Sequence, residues 1–453
     1  MAAGARKRLI LLEFNELCPD FIDRFIAEGR LPNFARLRAS SRKFLTHTSE
    51  EVLEPWIQWV TLHTGVPLSE HGIFDLDEAD KLKHETFWEA LQGDNVLLLS
   101  PMNVKFKPGR ESIFVPDPWA ASQTASDEVK PFYKFIRSAV TSHARTDRFD
   151  ARDALGAVRF LLGHGLSLGS VLSALEQLWR ERFSSGDVKW RRATILDLLL
   201  WDTFQHYWKD PRSPRVGVFF SNATAHYQHK YWSHHDPQDF TLKPSADEIR
   251  DYGEAIRFGY EAHDRLIGKA MKLAGEDTVV ALCTALSQQP MRDYEARGGK
   301  AMFIPRGYPE LLSFLGAPAG RAEALMAEES WLHFDSPAAA AAAREAIKAA
   351  RTSEGHPVFK TRAQEEQGRS FIVGCGVLAS EVGPDTAIIA SDGARARFFD
   401  HFLKMSTVTS GKHHPDGIFW LSDPADSAPD TVERLPLTLV RGKLERAMAA
   451  HAG

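Results

Sequence analysis

The chain is poor in cysteine: Cys18, Cys283 and Cys375 are its only three in 453 residues, and they are widely separated. No CxxC occurs, which argues against a thiolate zinc site. An odd, sparse set also argues against a disulfide framework and fits a reducing compartment. There is no long hydrophobic run: nothing approaches the roughly 20 apolar residues that span a bilayer. The start, Met1 to Arg8, is basic and leads into apolar Leu9–Leu12. That run is too short for a signal-peptide core and ends at Glu13, so it reads as a first buried strand. There is no excess of positive charge either. The net charge is −5, and a nucleic-acid binder would show clustered Lys and Arg. The expectation is a cytoplasmic protein with no membrane span and no nucleic-acid partner.

What is present is an alternation of short apolar runs with helical spacing. Leu9–Phe14, Asn95–Leu99, Arg215–Phe220 and Thr278–Cys283 read as buried strands. Pro19–Glu28 places Phe21, Ile22, Phe25 and Ile26 on one helical face and stops at Gly29. Thr86 opens another helix, and Ala255–Leu273 is a long one. Ala338–Ala343 reads as plain helix, since alanine is the best helix former. Strands alternating with helices imply an α/β fold, with a mostly parallel central sheet and helices on both faces. The expected division is a core of 8–105, 190–290 and 370–425. A helical insertion at 120–190 and a second at 291–370 form a cap, and 426–453 is a C-terminal tail helix. Such sheets place their sites at the carboxyl ends of strands.

Several motifs trail those runs. Residues 64–73 read Thr64-Gly65-x-Pro67-x-x-x-His71-Gly72-Ile73. Residues 29–37 read Gly29-Arg-Leu-Pro32-Asn33-Phe34-x-x-Leu37. After the third strand comes Ala225-His226-Tyr227-Gln228-His229-Lys230-Tyr231-Trp232, and later Gly411-Lys412-His413-His414-Pro415-Asp416-Gly417. Together they resemble the alkaline phosphatase superfamily, and within it the type I phosphodiesterase/nucleotide pyrophosphatase group. The resemblance covers most of the chain apart from the insertions. It implies an alkaline-phosphatase-like fold and phosphoryl transfer, with a Thr or Ser nucleophile attacking in line while two metal ions neutralise charge on the oxygens.

The resemblance is incomplete where the chemistry resides. The nucleophile position is Pro55, with Glu54 beside it; Glu54 is the only acidic residue from Val52 to Ser69. A carboxylate can serve as nucleophile or base. Equally, Glu54 can sit at a helix start with Pro55 at the first position. The first Asp of the family pattern is Asn15, a poor metal ligand that also suits a strand-end turn. Glu13 and Glu16 flank it and can substitute. The family's Asp-x-x-Gln-His-x-x-Trp is matched at Gln228, His229 and Trp232, with Ala225 for the Asp. Another register aligns Asn222 and His226 with the Asp and His but loses the Gln and Trp. His234 and His235 read as incidental. The family's Ser-Asp-His-Gly has no counterpart in Leu282–Pro290, whereas the final His is matched by His413.

These readings name Glu54, His226 and Glu16 as catalytic candidates and His229 and His413 as ligands of one divalent ion, zinc or manganese. Asn15, Trp56, Gln58, Trp59, Asn103, Asn222 and Gln288 are candidates for a polar, aromatic substrate lining. The functional expectation is a hydrolase or transferase acting on a phospho- or sulfo-ester, or on a glycan carrying one, through a single-metal or metal-free site. The alternative is a non-catalytic relative that binds a ligand or partner. Oligomeric state and substrate identity are not readable at this level.

Overall fold

The computed structural model describes residues 7–76, 78–91, 94–105, 112–120, 122–141, 151–325, 328–363, 368–426 and 429–449. The basic start before Lys7 lies outside them. Six strands come first: β1 (Arg8–Phe14), β2 (Arg42–His47), β3 (Val96–Leu99), β4 (Ile113–Val115), β5 (Val216–Ser221) and β6 (Thr278–Cys283). A short β7 (Ser287–Pro290) follows. Near the other end lie β17 (Gly411–His414), β18 (Asp416–Ser422) and β19 (Val432–Pro436), after the intervening strands β8 to β16 described below.

The main sheet has eight strands in the order β19-β2-β18-β6-β1-β5-β3-β4. β1 pairs in parallel with both β5 and β6, and β3 pairs in parallel with β4 and β5. β18 runs antiparallel between β6 and β2. The four runs read as buried strands are thus β1, β3, β5 and β6, adjacent at the sheet centre. Alternate side chains enter two separate cores. Ile10, Leu12 and Phe14 join one, with Phe219 and Leu282, under the helices Pro19–Ala27, Arg192–Trp208 and Ala255–Leu273. Leu9 and Leu11 join the other, with Val218 and Ala281, under the helices Pro55–Thr64 and Val440–Ala449. Helices therefore cover both faces, as expected for a parallel sheet.

The first insertion is helical: Lys130–Thr141, Ala151–Gly163 and Leu168–Phe183. Phe132, Ile136, Phe160 and Leu161 share the first core with Trp201. The second differs from expectation in content and extent. It contains β8 (Lys300–Pro305), β9 (Arg321–Ala324), β10 (Glu329–His333), β11 (Arg351–Thr352), β12 (Phe359–Ala363), β13 (Ser370–Cys375), β14 (Ala387–Ile389), β15 (Arg395–Arg397) and β16 (Phe402–Thr409). These form a four-stranded sheet β12-β13-β10-β9, a three-stranded sheet β11-β14-β15 and a β16-β8 pair. They enclose a third core of their own, with Leu332, Ile347, Phe371 and Phe402. The insertion is thus sheet as well as helix. The chain rejoins the main sheet at Asp416 rather than at 370, because β13 and β14 are apolar runs serving a different core. The alanine-rich segment is helical, Pro337–Ala349, with Ser336 accepting from the Ala339 amide at 3.2 Å. The tail helix is Val440–Ala449, preceded by β19, which adds a parallel edge strand beside β2.

One close approach fixes how the helix Arg192–Trp208 lies on the sheet. A Cβ on Gly217 of β5 would stand 2.7 Å from the Phe204 ring and 2.9 Å from Trp208. Both rings are buried, so neither can swing aside. Gly217→Ala is expected to lower unfolding stability by about 1–3 kcal/mol through overpacking, read as a shift in the urea midpoint. An unchanged midpoint would show that this helix has room to move.

Candidate active site

The sheet's carboxyl edge gathers the loops after β1, β5 and β6. β1 ends at Phe14, and the next residues are Asn15 and Glu16. Glu16 has φ +60°, in the left-handed region that non-glycine residues seldom occupy, and such residues concentrate at functional sites. Its loop is held from three sides. The Glu16 amide faces the Thr284 carbonyl after β6. Gln228 donates its Nε2–H to the Glu16 carbonyl at 2.7 Å. Gln228 Oε1 accepts from Tyr260 Oη at 2.5 Å and from the Cys18 amide at 3.3 Å. The Gln-His-x-x-Trp match thereby acquires a physical sense. Gln228 clamps the loop, His229 enters the site, and Trp232 packs on Phe21 with ring centroids 4.6 Å apart.

The clamp aims a carboxylate at two imidazoles. Glu16 Oε2 lies 3.0 Å from His229 Nε2 and 3.4 Å from His413 Nε2. His229 donates Nδ1–H to the Gly411 carbonyl at 2.9 Å, and His413 donates Nδ1–H to the Leu53 carbonyl. A carbonyl only accepts, so each neutral ring carries its proton on Nδ1 and turns an Nε2 lone pair inward. Two lone pairs facing a carboxylate oxygen repel unless a proton or a cation stands between them. Burial alone would lower the His413 pKa, but Glu16, Glu54 and the Leu53 carbonyl outweigh it and push it up to about 9. Burial alone would raise the Glu16 carboxyl, but His413 and His229 outweigh it and hold it well below the usual carboxylate range. The cluster thus favours positive charge at its centre. The donor atoms of Glu16, His229 and His413 lie within 4.8 Å of one another, and two imidazoles with one carboxylate suit a divalent transition metal. Backbone carbonyls orient both rings as outer partners do in metal sites. The residues present therefore fit one such ion.

His413 reaches this point because β17 runs antiparallel to β7, pairing His413 with Gln288. Gly411 permits the approach. A Cβ there would stand 2.4 Å from the Gln228 carbonyl oxygen and 2.5 Å from Gln288 Oε1. Gln288 in turn donates to Glu16 Oε2, and to the Ala225 carbonyl at 3.0 Å.

Glu54 borders the cluster. Its Oε2 lies 3.8 Å from His413 Nδ1, and its side chain is 37% exposed, open enough to meet a ligand. It is the N-cap of the helix Pro55–Thr64, with Pro55 in the first turn, yet its carboxylate makes no capping bond. Burial raises its pKa above the ordinary glutamate value, and the attraction of His413 offsets this only in part.

The other expected site residues are placed as follows. Asn15, Trp59 and Asn222 form a chain: the Trp59 indole donates to Asn15 Oδ1 at 2.8 Å, and Asn15 Nδ2 donates to Asn222 Oδ1 at 2.8 Å and to Glu16 Oε1 at 2.7 Å. Gln58 is buried and donates to the Val52 carbonyl at 3.1 Å. Asn103, with φ +49°, donates to the carbonyls of Trp56 and Asp75. Trp56 is partly buried and donates to the Phe74 carbonyl at 3.0 Å. These polar groups are bonded within the protein, apart from Gln58 Oε1, which is buried without a partner. His226 is exposed, one turn before His229, and is not among the three clustered groups. His71 is a staple, taking the Ile73 amide on Nδ1 and bonding Thr61 Oγ1 through Nε2 at 3.1 Å. Burial, with a smaller push from His84, lowers its pKa to about 4.

Two buried constellations were not anticipated. Glu13, read as the end of an apolar run and as a substitute for the missing Asp beside Asn15, instead points to the second core. There its Oε1 lies 2.7 Å from His63 Nε2, tying β1 to the helix Pro55–Thr64. Ser221, His263 and Asp197 form a Ser-His-Asp set with Ser221 Oγ 2.6 Å from Asp197 and 2.9 Å from His263. His263 is fully buried and stacks on Phe14, so this set is a structural tie out of reach of substrate. Neither had a sequence signal, since its members are far apart in the chain. The second insertion is tied to the segment after His71 through Arg362, which pairs with Asp75 and, within the insertion, with Glu329.

The chain resembles, at 14% identity and a TM-score of 0.45, phosphonoacetate hydrolase from Sinorhizobium meliloti 1021, solved with phosphonoformate; 98% of this chain and 96% of that one are covered. Murine ectonucleotide pyrophosphatase/phosphodiesterase 5 aligns at 8% identity and TM-score 0.41, covering 98% and 95%. The alkaline phosphatase PafA aligns at 12% identity and TM-score 0.44, covering 98% and 96%. No curated protein matches by sequence. The family model for type I phosphodiesterase/nucleotide pyrophosphatase matches residues 9–297, well over half of the chain and the stretch that carries β1, the helix Pro55–Thr64 and His229. The chain belongs to the type I phosphodiesterase/nucleotide pyrophosphatase family.

Proposed function

We propose that this protein hydrolyses a phosphoester of a small molecule with one divalent ion held by Glu16, His229 and His413, and with Glu54 as general base. The observation that carries the reading is the convergence of the two Nε2 atoms on the Glu16 carboxylate, with both Nδ1 atoms already committed to backbone carbonyls. An ion bound there would neutralise charge on an ester oxygen. A two-ion mechanism is not proposed. The loop after β6 offers Thr284, Ala285 and Leu286 rather than Asp and His, and Asn15 is engaged by Trp59 and Asn222.

Glu54 stands beside the family's nucleophile slot, which Pro55 fills here. A carboxyl with a raised pKa and an open side suits proton abstraction from water at the phosphorus. His413 fixes the distance between this base and the ion, because its two ring nitrogens face the two: Nδ1 lies 3.8 Å from Glu54, and Nε2 lies 3.4 Å from Glu16. Asn15 and Gln288 hold the Glu16 carboxylate in its plane by donating to its two oxygens. Such positioning matters because small displacements of catalytic groups cost rate steeply.

Two outcomes are expected. Protein purified without chelator should carry one zinc or manganese ion per chain by elemental analysis, and His413→Ala should lose it. Two ions per chain, or retention of the ion by His413→Ala, would overturn the ligand assignment. On a generic aryl phosphodiester, Glu54→Gln should lower kcat by about 10²- to 10⁴-fold, the usual worth of a general base, with the metal content and the urea midpoint unchanged. Full activity in Glu54→Gln would remove the base from Glu54. A metal-loaded parent that turns over no phospho- or sulfo-ester would make the chain a binding protein.

A further inference from the structure

The helical insertion presents an inverted helix. In Leu168–Phe183 the buried residues are polar, Ser170 and Gln177. Gln177 is held inward by bonds to Glu181 and to the Val188 carbonyl, both at 2.8 Å. The apolar residues point outward: Leu168 is 73% exposed, Leu172 and Leu175 are each 56%, and Trp179 is 62%. Helices that stay in solvent put their polar face out, so this one is oriented for something other than water. The stripe steps by four, three and four residues, the narrow seam that one helix offers another in a coiled coil. Leu155, Val158 and Leu162 on the preceding helix Ala151–Gly163 are also half or more exposed.

Together with Leu178 and Phe183, these residues expose a large area. At about 150–250 Å² per fully buried aromatic side chain, and somewhat less per leucine, the exposed parts on Leu168–Phe183 amount to roughly 700 Å², close to the ~800 Å² per partner of a standard interface. A monomer seldom exposes more than about 300–600 Å² in one patch. No stretch of this chain outside the described residues can cover such an area. The longest, residues 142–150, has one large apolar side chain, Phe149. A lipid surface is the weaker fit. Glu176 and Glu181 balance Arg180 and Arg182 within the helix, and Arg180 is already paired with Glu176 and Glu181 with Arg192. The chain as a whole is at −5, so no field draws it to anionic lipid.

We propose that the outward face of Leu168–Phe183 is a homodimer interface in which this face of one chain packs on the same face of a second copy. A two-fold arrangement uses one self-complementary patch and closes, leaving no free apolar face. The seam spacing supplies the fit, since the occupant it calls for is another helix with the same spacing.

The test is the mass of the full-length protein by sedimentation or by size exclusion with light scattering. At tens of micromolar the parent should have twice the mass of the 50.7 kDa chain. Leu172→Glu with Trp179→Glu should weaken association at least a hundredfold and give a monomer, with an unchanged circular dichroism spectrum, since neither side chain belongs to the folded core. Leu172→Ser with Leu175→Ser, a milder change, should also weaken association and serves if the charged pair fails to fold. A monomeric parent, or a folded variant of either kind that remains a full-strength dimer, would overturn the proposal. So would a monomeric parent that floats with phosphatidylcholine vesicles, which would assign the face to lipid.

Discussion

The Gln228 clamp on the Glu16 loop is the constraint on which the site depends. Without it, a glutamate at φ +60° would relax toward an ordinary conformation and its carboxylate would leave the two imidazoles. Backbone strain of this kind costs about 1–3 kcal/mol and persists only where surrounding bonds over-determine it. Here they do. Thr284, Gln228 and Tyr260 bind the loop backbone directly or through one another, while Asn15 and Gln288 bind the carboxylate. The carboxylate that meets the two imidazoles thus comes from Glu16, next to Asn15 on the loop after β1, and its reach comes from a turned backbone.

The same economy of position governs the rest of the edge. β1 sends Glu13 to one face and Phe14 to the other. The Glu13–His63 pair ties β1 to the helix whose start carries Glu54, and Phe14 stacks on His263, which ties β5 to the helix Ala255–Leu273. Buried pairs of this sort add little net stability, since desolvation offsets their attraction. Their effect is on register: the helix Pro55–Thr64 cannot slide along β1 without leaving Glu13 and His63 buried and alone. Glu54 and Glu16 are therefore held at a fixed separation by a contact between the strand that leads to Glu16 and the far end of the helix that starts at Glu54.

The catalytic reading and the dimer proposal concern different parts of the chain. The site lies at the carboxyl edge of the main sheet. The exposed apolar face belongs to the first insertion, whose inner side is packed into the first core.

The central strands were legible because a parallel strand buried on both faces must be largely apolar, and β1, β3, β5 and β6 are. The long helix Ala255–Leu273 was legible from its period. The return of the chain to the core was not: β13 and Ala387–Ile389 are as apolar as core strands, and nothing local distinguishes one hydrophobic core from another. Among the site residues, His229 and His413 could be named because they keep their motifs, and Glu16 and Glu54 because they stand beside vacated positions. Asn15, Trp59, Asn222, Gln58 and Asn103 were named with equal reason as ligand contacts. Which of an amide's several partners it takes depends on groups tens to hundreds of residues away, and here the partners are other parts of the protein. The sequence by itself determined the layers of the fold, the family and the inventory of groups near the site. The tertiary structure alone decided that Glu16, and not Glu13, is the carboxylate that meets the two histidines, because that choice rests on one left-handed residue held in place by Gln228.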